Sequence, residues 1–334
     1  MAGVISLEDV DKAIETIKQS PMVYRTPLLK NVGGMFGFAD RFKLHLKLEN
    51  MQNTGSFKVR GVVNQVAHLP VDVIKNGTSL VSMSAGNYGK ALAFASKKLN
   101  LPTTLCMPET APSNKAKLIE SLGVKVERMP KSDIIVAVDQ HVAQEGMQFL
   151  HPFDDLNLIA GMASVAVEIL DEIPEPDVVI ACCGGGGLLA GVAAGIKLKG
   201  HESTKIYGVE PEGAPTMYLS KQQGHAVSIT STKSIASGLA PPTAAGLFCT
   251  ASAVPGSLKG KEIIWPSNLL TKMLSICRAV ETFFHTGLVV EASGAAAFAA
   301  LQSNKIPDLS PESKVVVIVT GGNITPKELC DIIS

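Results

Sequence analysis

The sequence predicts an α/β fold with two open, twisted, mostly parallel sheets flanked by helices, and three observations carry the prediction. Strand-like and helix-like stretches alternate at short spacing between Leu80 and Glu145 and again between Gly161 and Val209, an order that winds parallel sheets right-handedly. The run Lys314–Val319 is almost purely β-branched, as a strand buried on both faces requires. Several strands run into glycine-bearing turns, at the carboxyl ends where open α/β sheets bind ligands.

Taken in order, Ser6 and Asp9 give a capping-box pattern that opens a helix over Leu7–Lys18, and Leu44–Leu48 alternates like a strand. A helix starts at Lys58 and continues through Val62, Val63 and Val66. Three strand and helix pairs follow: Leu80–Met83 with Asn87–Leu99, Thr103–Met107 with Ser113–Leu122, and Val124–Met129 with Asp133–Glu145. A strand at Gln148–Leu150 ends at His151-Pro152. Beyond Asp154-Asp155 the pattern resumes with helix Gly161–Asp171, strand Val178–Cys182, helix Gly187–Leu198 and strand Lys205–Val209. This restart is the reason to expect two sheets. Cys249 to Ser275, with Pro255-Gly256 and Trp265-Pro266, keeps no period and reads as a long connection or short irregular elements.

The 334 residues fit one large or two closely associated domains, and 46% hydrophobic against 18% charged residues supply a sizeable core. Thirty basic and thirty acidic residues leave no net charge, so a nucleic-acid partner is not expected. No apolar run approaches membrane-spanning length and the first residues do not read as a secretion signal. A cytoplasmic protein without a membrane partner is expected. Six cysteines, at 106, 182, 183, 249, 277 and 330, lack CxxC spacing and read as buried thiols rather than zinc ligands. The histidines 45, 68, 141, 201, 225 and 285 read as isolated surface or packing residues, and His151 lies nearer the chemistry without a nameable partner.

Four loops and one lysine carry that chemistry. Lys58 follows Thr54, Gly55, Ser56 and Phe57 at a helix start, where the helix dipole disfavours a positive amine and an aromatic ring lies alongside. Such an amine can condense with an aldehyde. Gly184-Gly185-Gly186-Gly187 joins a buried strand to a small-residue helix, so that successive N–H groups can turn toward one anion. The loop lacks the Lys-Ser/Thr of a P-loop and the spacing of a dinucleotide fingerprint, and so suits a phosphate monoester; a plain tight turn is the alternative. Ser84-Ala85-Gly86-Asn87-Tyr88-Gly89 offers a hydroxyl, an amide and backbone donors for a carboxylate, or else a helix cap at Ser84 or Asn87. Thr320-Gly321-Gly322-Asn323 presents a hydroxyl at a strand end, on a ligand or in a solvated turn. Ser237-Gly238-Leu239-Ala240-Pro241-Pro242 is a turn with little signal of its own.

Taken together, these segments resemble the fold type II pyridoxal-phosphate enzymes, within them the serine/threonine dehydratase and serine racemase family. The resemblance rests on Ser56-Phe57-Lys58-Val59-Arg60-Gly61, Ser84-Ala85-Gly86-Asn87, Gly184 to Leu188, Gly208-Val209-Glu210-Pro211-Glu212-Gly213-Ala214, Gly238 to Pro242, Glu291-Ala292-Ser293-Gly294-Ala295 and Thr320 to Asn323. It implies a large domain of residues 1–77 and 155–334 and a small mobile substrate domain of residues 78–154, with pyridoxal 5'-phosphate between them. Lys58 would hold the cofactor aldehyde through its amine and, once released by substrate, take the Cα proton. The resemblance places Phe57, Asn87, Gly184, Gly185, Gly186, Gly187, Leu188, Gly238, Glu291 and Thr320 around the cofactor. Asn87 would meet the ring hydroxyl and the glycines the phosphate. Ser84, Ala85, Gly86, Asn87 and Tyr88 would meet the substrate, with Ser84 counted as catalytic. Thr320 would face the pyridine nitrogen; a neutral hydroxyl there makes a weaker electron sink than an aspartate and favours loss of a β-substituent. The activity implied is β-elimination of L-threonine and/or L-serine to 2-oxobutyrate or pyruvate and ammonia, by a homodimer acting on a small amino acid.

Departures from the family pattern shape the rivals. Racemases of the group carry serine where this chain has Ala85, and alanine has no proton to give. Met162-Ala163-Ser164 replaces a common Gln-Gly-Thr, Ser237 stands where aspartate is usual, and His151-Pro152-Phe153-Asp154 lacks the serine run of aspartate racemases. Glu210 and the carbonyl of Ala214 match a site for a mono- or divalent cation, with Thr216 in place of its second acid. With Ser334 as the last residue, the regulatory domain of isoleucine-inhibited relatives is not expected. The competing readings are a serine racemase with side elimination, a β-replacement enzyme, which the Gly238 to Pro242 motif disfavours, and a catalytically silent cofactor or amino-acid binder.

Overall fold

The computed structural model describes residues 5–84, 86–246, 263–264 and 270–334. Ala85, Cys249 and Trp265-Pro266 lie outside the described residues. The helices in chain order are α1 (Leu7–Gln19), α2 (Lys58–Ala67), α3 (Val71–Lys75), α4 (Asn87–Leu99), α5 (Ser113–Glu120), α6 (Ile134–Glu145), α7 (Leu156–Glu172), α8 (Gly187–Leu198), α9 (Thr216–Gln223), α10 (Met273–His285), α11 (Ala292–Gln302) and α12 (Pro326–Ile333). The strands are β1 (Leu28–Leu29), β2 (Lys43–Leu48), β3 (Leu80–Met83), β4 (Thr103–Pro108), β5 (Lys125–Met129), β6 (Gln148–Phe149), β7 (Val178–Cys182), β8 (Lys205–Val209), β9 (Ile263–Ile264) and β10 (Lys314–Val319).

The strands form two sheets, ordered β1-β2-β10-β7-β8-β9 and β5-β4-β3-β6. All pairings are parallel except β1 with β2. The expected central strand is central: β10 lies between β2 and β7, and its alternate residues enter two different cores. Val316 and Ile318 pack with Val179 and Ala181 beneath α2, α7 and α8. Val315, Val317 and Val319 pack with Ile180, Phe283 and Phe298 on the opposite face.

The capping box at Ser6 is formed, with Asp9 N donating to Ser6 Oγ at 3.1 Å and Ser6 N to Asp9 Oδ2 at 2.8 Å. One helix starts earlier than its periodicity suggests. Asp155 accepts the amide of Leu158 at 2.8 Å, so α7 begins at Leu156 rather than Gly161. α11 escaped the sequence because Ala292 to Leu301 are all buried, leaving no polar face to set a period. The aperiodic stretch from Cys249 to Ser275 contains the edge strand β9 and the start of α10.

Beneath the first turn of α2 lies a largely buried ion network. Arg60, 0% exposed, donates to Glu49 through Nε and Nη2 at 2.8 Å each and to Glu168 through Nη1 and Nη2 at 2.7 and 2.8 Å. Lys47 Nζ completes it, 2.6 Å from Glu168 and 2.8 Å from the Thr26 carbonyl. Burial works to raise the Glu168 carboxyl, and Arg60 and Lys47 more than offset it, holding it below its usual range. Removing the guanidinium leaves the buried Glu49 carboxylate without its cation and Glu168 with Lys47 alone, which costs about 3–5 kcal/mol. Arg60→Met is expected to lower the urea midpoint by that equivalent; an unchanged midpoint would show the network to be dispensable.

Candidate active site

The loop before Lys58 is fastened to the loop after β10. Phe57 N donates to Thr320 O at 3.2 Å, Gly322 N to Gly55 O at 2.9 Å, and Ser56 pairs with Gly321 as an isolated bridge. Gly55 permits this contact: its φ is +74°, and an added Cβ would lie 2.4 Å from Asn323 Oδ1. Lys58 is thereby set at the carboxyl end of the central strand. Its half-buried amine donates to Pro152 O at 3.1 Å and lies 5.3 Å from the Phe57 ring and 5.8 Å from that of Tyr88. The amine is pushed down to about 8, chiefly by burial, with Cys182 working weakly the other way. The helix dipole and ring expected from the sequence are not the chief cause; desolvation is.

Gly184–Gly187 bring the backbone where side chains cannot go. A Cβ on Gly184 would lie 2.8 Å from Gly238 O, and one on Gly185 would lie 2.4 Å from the Phe153 ring. The loop opens onto the first turn of α8, whose leading amides have no helical acceptors and whose dipole favours an anion. Leu188 is buried in that turn, and Gly238 is held from below by Ser293 Oγ, 3.0 Å from its amide. Neighbouring residues thus touch both features, Pro152 the Lys58 amine and Phe153 the glycine loop. His151 accepts the Phe153 and Asp154 amides at 3.3 and 2.8 Å and, with its carbonyl, the Gln65 side-chain amide at 3.0 Å. It has partners that the sequence did not reveal.

From the other sheet, the turn after β3 brings Ser84, Gly86, Asn87 and Tyr88. Ser84 Oγ accepts the amides of Gly86 and Gly89 at 3.2 and 3.1 Å, capping α4 while keeping its own O–H to donate. Asn87 does not cap: its Nδ2 donates to Glu291 at 2.5 Å and its Oδ1 accepts from Asn323 Nδ2 at 2.8 Å. Tyr88 is buried and donates to Gln65 at 2.8 Å. Glu291 is pushed up to about 7, by burial first and against the Asn87 hydrogen bond. Thr320 Oγ1 lies 3.1 Å from Cys182 Sγ, a thiol that burial pushes up to about 12.

The sequence reading named neither Asn323, Lys90 nor Phe153 as site residues. Lys90 Nζ donates to Asn323 Oδ1 at 2.6 Å, and Asn323 Nδ2 also donates to Thr54 O at 2.9 Å. Asn323 belongs to the glycine motif that drew attention to Thr320, the one signal that could have exposed it. Glu210 and Ala214 lie apart from this group. The Glu210 carboxyl, pushed up to about 7 by burial, accepts the amides of Met217 and Tyr218 at 2.8 Å each and so caps α9. Cys182 and Cys183 pack as expected, whereas Cys277 is half-buried and Cys330 exposed, contrary to a reading of all six thiols as buried. Histidine 45 is buried within β2.

The residues fit pyridoxal phosphate: a side-chain-free loop at a helix N-terminus for its phosphate, and an amine of lowered proton affinity for its aldehyde. A family model for the pyridoxal-phosphate dependent enzymes matches residues 19–321, and the chain belongs to that family. Among named relatives, it is 33% identical to the catabolic L-threonine dehydratase of Staphylococcus aureus, over 97% of this chain and 90% of that one. It is 32% identical to an L-threonine ammonia-lyase of Thermotoga maritima, over 96% of this chain and 76% of the other. The structure is similar to maize serine racemase, with a TM-score of 0.83, 28% identity, and 99% and 97% of the two chains covered.

A lowered lysine becomes nucleophilic as pH rises through its own pKa. Reductive alkylation of the cofactor-free protein with a small aldehyde, followed by mass spectrometry, should therefore label Lys58 with a midpoint near pH 8. Exposed lysines should follow only near 10.4. A Lys58 midpoint indistinguishable from theirs would contradict the buried amine.

Proposed function

We propose that this protein is a pyridoxal-phosphate-dependent ammonia-lyase that dehydrates L-threonine and/or L-serine, giving 2-oxobutyrate or pyruvate and ammonia. The relatives named as L-threonine ammonia-lyase and dehydratase support this class of reaction. The observation that carries elimination is the Thr320–Cys182 pair. Both groups are protonated and neutral at physiological pH, so the side chain that the resemblance places at the pyridine nitrogen, Thr320, is a hydroxyl and not a carboxylate.

Bound pyridoxal phosphate supplies the electron sink for breaking a bond at the substrate Cα. The amides opening α8 and the glycine loop hold its phosphate. The Ser84 O–H, with the amides of the α4 first turn, binds and orients the substrate carboxylate. Lys58, freed and neutral, takes the Cα proton from one face. The resemblance matches Ala85 to the serine that racemases use on the opposite face, and alanine has no proton to give, which favours elimination over racemisation. As the Cα proton and the β-hydroxyl leave, water is lost from the amino acid; its return by hydrolysis releases ammonia.

We extend the proposal to architecture and setting. Residues 78–154 act as the small mobile substrate domain: Ser84, Asn87 and Tyr88 ride on the four-stranded sheet, whereas Lys58 and the glycine loop belong to the six-stranded one. Movement between the sheets would open and close the site. The family resemblance supports a homodimer, and a cytoplasmic location is part of the same reading; no helix among the described residues is long and apolar enough to cross a membrane. A mono- or divalent cation at Glu210 and the Ala214 carbonyl is supported by the resemblance, and it would compete with the two amides for the Glu210 carboxylate.

Purified holo protein should release 2-oxo acid from L-threonine or L-serine and not from the D-isomers, and Lys58→Ala should abolish release. Absence of oxo acid from a protein that shows the lysine-bound cofactor absorbance would refute the proposal. Chiral analysis of the same mixtures then separates a racemase from a silent binder.

A further inference from the structure

Cys106, read from sequence as a buried thiol, and His141, read as an isolated surface or packing residue, meet on the four-stranded sheet. The thiol of Cys106 on β4, a carboxylate oxygen of Glu127 on β5 and a ring nitrogen of His141 on α6 lie within 4.8 Å of one another. Three separate elements deliver a sulfur, an oxygen and a nitrogen to one point. His141 is doubly held, its Nε2 2.9 Å from Glu127 and its Nδ1 2.7 Å from Glu145. We propose that Cys106, Glu127 and His141 form a binding site for a divalent zinc-like cation, with Glu145 orienting the histidine from behind.

The donor set selects the ion. A thiolate excludes magnesium and calcium, and mixed sulfur, nitrogen and oxygen ligands suit four-coordinate zinc with one position left for water. The arrangement of Glu145 on Nδ1 is the carboxylate–histidine pairing that fixes the tautomer and leaves Nε2 to face the metal. Without an ion, a shared proton serves the same geometry: Glu127 and then Glu145 hold the His141 ring above its ordinary pKa. Cys106 is fully buried beside Val81, Ile134 and Val138, and burial pushes its thiol up to about 11, with Glu127 adding to the effect. Binding therefore displaces protons from thiol and imidazole. Lys125, 2.8 Å from the other oxygen of Glu127, is exposed and can swing away.

The site does not overlap the cofactor residues, yet it is coupled to them by one ladder step. Met83 pairs with Cys106 across β3 and β4, and Ser84 N donates to the Cys106 carbonyl at 3.2 Å. A bound ion would clamp β4, β5 and α6 together behind the strand that delivers Ser84.

The test is equilibrium dialysis of the holoenzyme against zinc chloride with elemental quantitation, joined to anomalous diffraction at the zinc edge. One zinc per chain, with an anomalous peak among Cys106, Glu127 and His141, is the expected result. Cys106→Ser and His141→Gln should lose the ion, and Glu145→Gln should weaken binding about 10- to 100-fold. Glu127→Gln, nearer the surface, serves if the buried substitutions prevent folding. No retained zinc, or retention unaltered by these changes, would overturn the proposal, as would an anomalous peak elsewhere.

Discussion

A guanidinium with no access to water, two residues along α2 from Lys58, fixes the frame on which the site depends. Arg60 takes both oxygens of Glu49, at the end of β2, and both of Glu168, on α7. Desolvating such charges is expensive unless every donor is matched, and here the planar fork is matched on two sides. The result is geometric rather than a simple gain in stability. The strand, the helix that starts at Lys58 and the helix beneath it can meet in one relative position. Ser164 and Thr26 lie on the same guanidinium at 3.2 and 3.5 Å, so the positions around it are polar by necessity. Substitutions there should be read as parts of a network, not one at a time.

That frame explains how two sheets make one site. The loop ahead of Lys58 zips to the turn after β10, and the glycine loop extends β7, the neighbour of β10. Lysine, hydroxyl and anion cradle are therefore set by adjacent strand ends. The contributions of α4 come from the other sheet and join through side chains: Asn87 to Glu291 and Asn323, and Lys90 to Asn323. Backbone pairing fixes the first set, whereas side chains hold the second, these polar groups together with Ala91 and Leu92 in the apolar cluster that includes Val59 and Val62 of α2.

Much of this was legible in the sequence, for reasons that can be assigned. β7, β8, β10 and α8 were read to the residue because parallel strands buried on both faces form continuous apolar runs and glycine marks the turn into the helix. The Gly-rich loops were visible because few residue types allow a backbone to come so close to its neighbours. What stayed hidden was pairing at long range. Arg60 with Glu168 spans 108 residues, Asn87 with Glu291 spans 204, and nothing local to either partner announces the other. His141 shows the same limit: on its own helix it is one histidine on the buried face with Ile134 and Val138, and only the sheet brings Glu127 and Cys106 to it.

One cause recurs through the site. Burial shifts Lys58, Glu291 and Cys182 each toward its neutral form, the amine down to about 8, the carboxyl up to about 7 and the thiol up to about 12. Burial thus weakens the charged form of each of these groups in the space between the sheets. Two helix N-termini, at α8 and α4, face the glycine loop and the Ser84 turn instead, and aligned amides attract anions without a counter-charge to neutralise. A ligand carrying a phosphate and a carboxylate would supply the missing charges to a cavity built from dipoles. The same desolvation that leaves Lys58 easier to deprotonate makes those dipoles stronger, because both effects grow as water is excluded.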